Sequence, residues 1–96
     1  MPAPGSEPDW ARAEAWMALQ SPKLQAAWKC LRSGEVDEAF DRSRADFAIA
    51  RCLWEGGWDA TQIAAVLLAL PGSKACERGE VYARKTAARA SILNHK

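Results

Sequence analysis

The sequence predicts an all-α fold, a small bundle of about five helices. Apolar residues recur at intervals of three and four along most of the chain, which is the period of a helix with one buried face. No segment alternates apolar and polar residues over the length that a strand needs. Serine or aspartate precedes several apolar runs and glycine follows them, as expected at the two ends of helices.

The 96 residues are enough for one domain with one modest core. Residues 1–8 are rich in proline, glycine and serine, which predicts a flexible leader or linker. The helical bundle is expected over residues 9–93, followed by a frayed C-terminus at 94–96.

The first two helices have clear boundaries in the sequence. The first is predicted from about Asp9 to Leu19. Ser21 and Pro22 begin the second, because serine is a favoured N-cap and proline suits the first helical position. Gly34 ends it, since glycine readily takes the left-handed conformation of a C-cap. Three tryptophans of the apolar helical faces are expected in the core: Trp16, Trp28 and Trp54.

The third helix has a charged beginning and an apolar body. Ser43 and Asp46 have the spacing of a capping box, in which each side chain satisfies a free backbone N–H of the first turn. The helix is expected to end at the glycine pair 56–57. Arg42 and Arg44 serve neither the cap nor the core in this interpretation, so they are predicted to be free to contact phosphate.

The last two predicted helices differ in character. Asp59 is expected to cap the fourth helix, with Gln62 at the capping-box position, and Pro71-Gly72 closes it. The final helix is predicted from about Gly79 to Leu93.

The basic residues are concentrated at the end of the chain. Residues 1–70 hold seven Lys/Arg against ten Asp/Glu, a net charge of −3, whereas residues 71–96 hold six against two, a net charge of +4. Intervals of four, three and four put three cations and one tyrosine of this region on one helical stripe, a combination suited to phosphate contact and base stacking. A merely solvated outer face is the alternative. The predicted nucleic-acid-binding residues are Arg42, Arg44, Trp58, Lys74, Arg78, Tyr82, Lys85 and Arg89. For Trp58, which follows a glycine pair at a helix junction, exposed base stacking and simple lid packing are equal alternatives.

Catalytic and metal-binding patterns are not found. The acidic residues do not combine with a serine or histidine at a catalytic spacing, and His95 is next to the end of the chain. The three cysteines lack a CxxC pairing, so neither zinc nor a disulfide framework is indicated. No signal peptide or long apolar run is present, which predicts a cytoplasmic protein without membrane contact. The sequence therefore predicts a protein that is not an enzyme and holds no metal or cofactor of its own.

Three segments within residues 24–90 follow a family pattern: LQAAWKCLRSG, DRSRADFAIARCLWEGGWDATQIAAVLLAL and RGEVYARKTAARA. Together they resemble the small helical domain that follows the catalytic domain in archaeo-eukaryotic-type primase-polymerases of plasmids, phages and other mobile elements. The segment LPGSKACERG is shorter than in many members and lacks their Arg-x-Lys-Trp element. The matching positions are Trp28, Leu31, Gly34, Ser43, Arg44, Asp46, Ile63, Leu67, Leu68, Tyr82, Lys85 and Thr86.

The resemblance implies a non-catalytic domain that holds single-stranded DNA template, and in some members the triphosphate of the initiating nucleotide, for primer synthesis. Its partner would be a primase-polymerase catalytic domain, in cis or in trans. Two other functions remain open. The Trp-rich first two helices would suit a protein-interaction bundle that docks on a replication partner or on itself. The segment WEGGWDATQIAAVLLAL would suit a helix-turn-helix DNA-binding regulator.

Overall fold

The computed structural model describes residues 8–36 and 39–93, and its helices confirm the predicted all-α bundle. Those residues contain no β-strand. The predicted C-terminal tail and all of the predicted leader except Pro8 lie outside the described residues. Six helices are present instead of about five, because a four-residue helix precedes the last one. The helices are α1 (Trp10–Met17), α2 (Pro22–Ser33), α3 (Arg42–Glu55), α4 (Ala60–Ala69), α5 (Ala75–Arg78) and α6 (Glu80–Leu93).

Three predicted helix ends are confirmed. The Ser21 side chain accepts a hydrogen bond from the backbone N–H of Leu24 at the start of α2. Gly34 ends α2 with a φ of 82°. This is the left-handed conformation, which residues with a Cβ atom rarely adopt. Asp59 and Gln62 form both hydrogen bonds of a capping box at α4. These contacts are local, which is why residue spacing alone predicts them.

The predicted cap of α3 is wrong. The carboxylate of Asp41 accepts a hydrogen bond from the backbone N–H of Arg44 at 3.0 Å, so the helix begins at Arg42. Ser43 therefore lies inside the first turn rather than in front of it. Asp46 lies a full turn beyond the N-cap and is completely buried. Its carboxylate does not cap the helix and instead forms hydrogen bonds with residues far along the chain.

The core forms where α6 packs across α3 and α4. Ala83, Ala87 and Ala90 of α6 are fully buried, and side chains this small let neighbouring helices approach closely. The opposing positions carry larger apolar groups, such as Ile49 of α3 and Leu67 of α4, both without exposed surface. The packing thus combines small residues on one helix with large ones on its neighbours.

Several contacts attach the first helix to the bundle, two of them near its C-terminal end. The indole N–H of Trp16 donates to the carbonyl of Cys52 at 2.9 Å. Beside it, the sulfur of Met17 lies 3.9 Å from the Cys52 thiol, and Met17 is only 1% exposed. Trp28 is buried, and Trp16 and Trp54 are partly buried against the core.

The connection after α4 is held from two sides. The backbone N–H of Gly72 donates to the carbonyl of Leu31 at 2.8 Å, and the Nε of Arg42 donates to the carbonyl of Gly72 at 2.9 Å. A Cβ atom on Gly72 would lie 2.8 Å from the Cα of Leu31. Glycine is therefore required for this close approach. The end of α2 and the start of α3 are both tied to this connection.

Candidate nucleic-acid interface

A buried carboxylate joins the elements that carry most of the predicted site. The Oδ2 atom of Asp46 accepts a hydrogen bond from the backbone N–H of Lys74 at 3.0 Å and another from the hydroxyl of Tyr82 at 2.7 Å. Burial raises the pKa of the Asp46 carboxyl above its ordinary value, and these hydrogen bonds and the nearby charge of Arg42 partly offset that rise. Asp46 thereby fixes α3, the start of α5 and α6 relative to one another.

Arg42 is not free to contact phosphate, contrary to the prediction from the sequence. Its Nε donates to the carbonyl of Gly72 and its Nη2 donates to the carbonyl of Ser73, at 2.9 Å and 3.0 Å. Its Nη1 forms an ion pair with Glu77. All three guanidinium nitrogens are thus engaged within the domain. Arg42 holds the connection after α4, a role that residue spacing does not predict because the partners are about 30 residues away.

Tyr82 does not belong to an exposed basic stripe. Its hydroxyl donates to Asp46, and burial, followed by that hydrogen bond and the charge of Asp46, raises the pKa of Tyr82 to about 12. Arg78 is separated from the stripe as well, because it ends α5 and Gly79, with a φ of 86°, interrupts the chain before α6. Of the predicted stripe, Lys85 and Arg89 remain together on the exposed surface of α6.

Trp58 cannot serve as an open stacking platform. The side chain is buried, with 4% of its surface exposed. The guanidinium of Arg12 lies 3.9 Å from the centre of its ring, and an arginine at that distance covers the ring face. Trp58 instead fastens α1 to the turn between α3 and α4.

Arg44 lies in the first turn of α3, beside a groove that the α6 cations do not line. Its side chain is exposed and lines a groove between α2 and α3. In contrast, Arg89 of α6 approaches α3 at Phe47, with 5.9 Å between the guanidinium carbon and the ring centre. Arg44 thus lines the groove, which Lys85 and Arg89 do not.

Four cations of the basic region have no acidic partner within the described residues: Lys74, Arg78, Lys85 and Arg89. The two acids of this region are both occupied, since Glu77 pairs with Arg42 and Glu80 pairs with Arg84 at 2.6 Å. The positive charge that the sequence concentrates here is therefore not cancelled by local ion pairs.

Phe47 is an aromatic residue beside these cations that the sequence analysis did not select. It is partly buried against the core and lies under Arg89. Its position in the sequence could have indicated it, because Phe47 lies one helical turn after Ser43 and on the same side of α3 as Trp54.

Other kinds of site are not observed in residues 8–36 and 39–93. No cluster of three or more His, Cys, Asp or Glu side chains could hold a metal ion there. None of the helices in these ranges combines the length and the apolar character needed to cross a membrane. His95 lies outside the described residues. No protein-family model, curated protein or solved structure matches the chain.

Proposed function

We propose that this chain is a non-catalytic DNA-binding domain of a replication primase or primase-polymerase, and that it holds single-stranded template for primer synthesis. The observation that carries the proposal is the set of four cations without acidic partners: Lys74, Arg78, Lys85 and Arg89. Cations of this kind gain free energy on meeting phosphates, because the nucleic acid releases its condensed counterions. The link to primases rests on the family resemblance of residues 24–90.

The cations are carried by a rigid frame. Asp46 accepts hydrogen bonds from the backbone N–H of Lys74 and the hydroxyl of Tyr82. These two bonds tie α6 and the start of α5 to α3. Arg42 holds the preceding connection through two backbone carbonyls. A surface whose backbone is already fixed loses less conformational entropy on binding than a flexible basic tail does.

The structure favours contact with the phosphate backbone over readout of duplex bases. In a helix-turn-helix protein, α4 would enter the major groove and present side chains to base edges. Four residues of α4 are instead buried in the core, namely Ile63, Ala64, Val66 and Leu67. Its exposed polar side chains are confined to Thr61 and Gln62 in the first turn.

The proposal predicts that removing two of the cations weakens DNA binding in a salt-dependent way. For four phosphate contacts, the logarithm of the association constant should fall with the logarithm of salt concentration with a slope of about −3 for single strands. For Lys85→Ala plus Arg89→Ala we expect a slope of about −1.4 and weaker binding at low salt. Fluorescence anisotropy of labelled oligothymidine, titrated at several salt concentrations, measures both quantities.

Lys23→Ala plus Lys29→Ala is the matched control, because it removes two exposed charges from α2, outside the proposed interface. This variant should keep the slope of the parent protein. Absence of oligothymidine binding at low salt, or a slope that both double variants change equally, would rule out the interface. Tighter binding to one duplex sequence than to single strands would favour a helix-turn-helix regulator instead.

A further inference from the structure

A groove of about 790 Å³ lies between α2 and α3 and is not used by the proposed DNA interface. Its apolar lining combines small side chains of the two helices with two larger ones: Ala26, Ala27, Ala45 and Ala48, together with Leu24 and Phe40. Alanines at such positions leave space for a further helix to pack against both α2 and α3 at the usual axis separation of about 8–10 Å.

The two helices run in opposite directions along the groove. The C-terminal end of α2 and the N-terminal end of α3 both bond to Gly72, through Leu31 and Arg42. The opposite ends come together near Trp16, which bonds to Cys52. On α3 the lining residues extend from Arg44 to Glu55, which at 1.5 Å per residue is about 16 Å, or about three helical turns.

The charges on the rim leave one unpaired cation near each end. The rim carries three cations, Lys23, Arg44 and Arg51, against two acids, Asp41 and Glu55, a net charge of +1. Asp41 caps α3 through the neutral backbone N–H of Arg44 and still counts as an acid of the rim, whereas Glu55 pairs with Arg51 at 3.7 Å. Lys23 and Arg44 also line the groove and are exposed, and neither has an acidic partner in the part of the chain that the structure describes. Lys23 lies in the first turn of α2 and Arg44 in the first turn of α3. Because the helices are antiparallel, these cations mark opposite ends of an apolar channel.

We infer that this groove binds an acidic amphipathic helix of a partner protein. The apolar stripe of that helix would lie on the alanines, and carboxylates near its two ends would meet Lys23 and Arg44. This is helix-in-groove recognition, in which apolar anchors at spacings of three and four supply affinity and charges set the orientation. The inference does not depend on DNA binding, since the groove and the α6 cations share no residue.

The α6 helix of a second copy is a poor occupant on grounds of charge. Two large apolar side chains of α6 are exposed, Val81 at 68% and Ile92 at 64%. Three cations accompany them on the outer face of that helix: Arg84, Lys85 and Arg89. Docking α6 into the groove would place like charges against Lys23 and Arg44, which costs binding free energy.

The test uses a synthetic helical peptide of about four turns, with leucines at the i, i+3, i+4, i+7 spacing and glutamates near both ends. The matched control peptide has lysines in place of the glutamates. Cys30 lines the groove, so its rate of alkylation by iodoacetamide, followed by mass spectrometry, reports occupancy. Cys76 is exposed and lies outside the groove, which makes it an internal reference. We expect the acidic peptide to slow alkylation of Cys30 several-fold without affecting Cys76.

A charge-reversed variant, Lys23→Glu plus Arg44→Glu, gives the second arm. Both side chains are exposed, so the fold should be retained, and circular dichroism checks this. We expect the variant to lose protection by the acidic peptide and to gain protection by the lysine peptide. Binding of oligothymidine at a fixed salt concentration should change far less than for Lys85→Ala plus Arg89→Ala.

Three outcomes would overturn the inference. The first is failure of the acidic peptide to protect Cys30 in the unaltered chain. The second is equal protection by the two peptides, which would remove the role of the rim cations. The third is protection of Cys30 by oligothymidine, or by raising the protein concentration alone, which would identify DNA or a second copy as the occupant.

Discussion

The Asp46 carboxylate receives hydrogen bonds from groups 28 and 36 residues further along the chain, the backbone N–H of Lys74 and the hydroxyl of Tyr82. An acid placed four residues into a helix usually stays in solvent, and nothing in the local sequence reveals these distant partners. The capping prediction for Ser43 and Asp46 failed because Asp41 caps α3, whereas the tertiary role of Asp46 depends on these distant partners. The Asp59 capping box was confirmed, and its partners are three residues apart. Residue roles that depend on sequence-distant contacts cannot be predicted from spacing.

The single tyrosine of the chain gives a direct measure of this contact. We expect Tyr82 in the folded protein to titrate at about 12, above its ordinary value of 10.0, because burial, the hydrogen bond to Asp46 and the charge of Asp46 all disfavour the phenolate. The absorbance of tyrosinate measured against pH follows this one group. Asp46→Asn removes the charge and should lower the midpoint. A midpoint near 10 in the unaltered protein, while circular dichroism still shows intact helices, would contradict the contact.

At the scale of the element, the connection between α4 and α5 depends on one position without a side chain. Gly72 bonds to Leu31 on one side and to Arg42 on the other. The sequence identified Pro71-Gly72 as a helix end, which is correct, since α4 ends at Ala69. It did not identify the packing of Gly72 against α2, because that contact joins residues 41 positions apart. Helix ends follow from local chemistry, and the packing of connections does not.

Gly72→Ala should therefore destabilise the domain. The added Cβ would lie 2.8 Å from the Cα of Leu31 and 2.9 Å from the carbonyl oxygen of Cys30, both backbone atoms that cannot move aside cheaply. We expect a loss of about 1–3 kcal/mol in the free energy of unfolding, typical of overpacking. Urea unfolding followed by tryptophan fluorescence measures it. Ala69→Ser, at an exposed position nearby, should change stability by less than about 0.5 kcal/mol. Equal effects of the two substitutions would show that the approach is not tight.

On the scale of the whole molecule, the fold class and five of the six helices were predictable because apolar periodicity and local caps determine them. The short helix α5 was not, since four residues carry no periodic signal. The uneven distribution of charge was also visible in the sequence. Which basic side chains form ion pairs with acids was not. Arg42 and Tyr82 turn inward and Trp58 is buried, so fewer of the predicted residues are available to nucleic acid. The unpaired cations of the basic region belong to α5, its N-cap and α6.

The pH dependence of global stability should reveal the buried acid. The folded-state pKa of Asp46 is raised above its ordinary value of 3.8. Its contribution to stability is therefore fully present below about pH 4 and is lost as the pH rises through the folded-state pKa. The free energy of unfolding of the parent protein, relative to Asp46→Asn, should fall between pH 4 and pH 7. Urea titrations of both proteins at the two pH values give this difference, and a rise in it would mean that the folded-state pKa is lowered.

The contact between Met17 and Cys52 also makes oxidation of Met17 a measure of how often α1 detaches from the bundle. Met17 is 1% exposed, so an oxidant such as hydrogen peroxide reaches its sulfur only when α1 detaches from the bundle. The rate of sulfoxide formation at this residue therefore reports how frequently the first helix opens locally. The sulfoxide is polar and larger than the thioether, so α1 could not pack again in the same way. A brief opening would therefore leave a chemical modification that outlasts it.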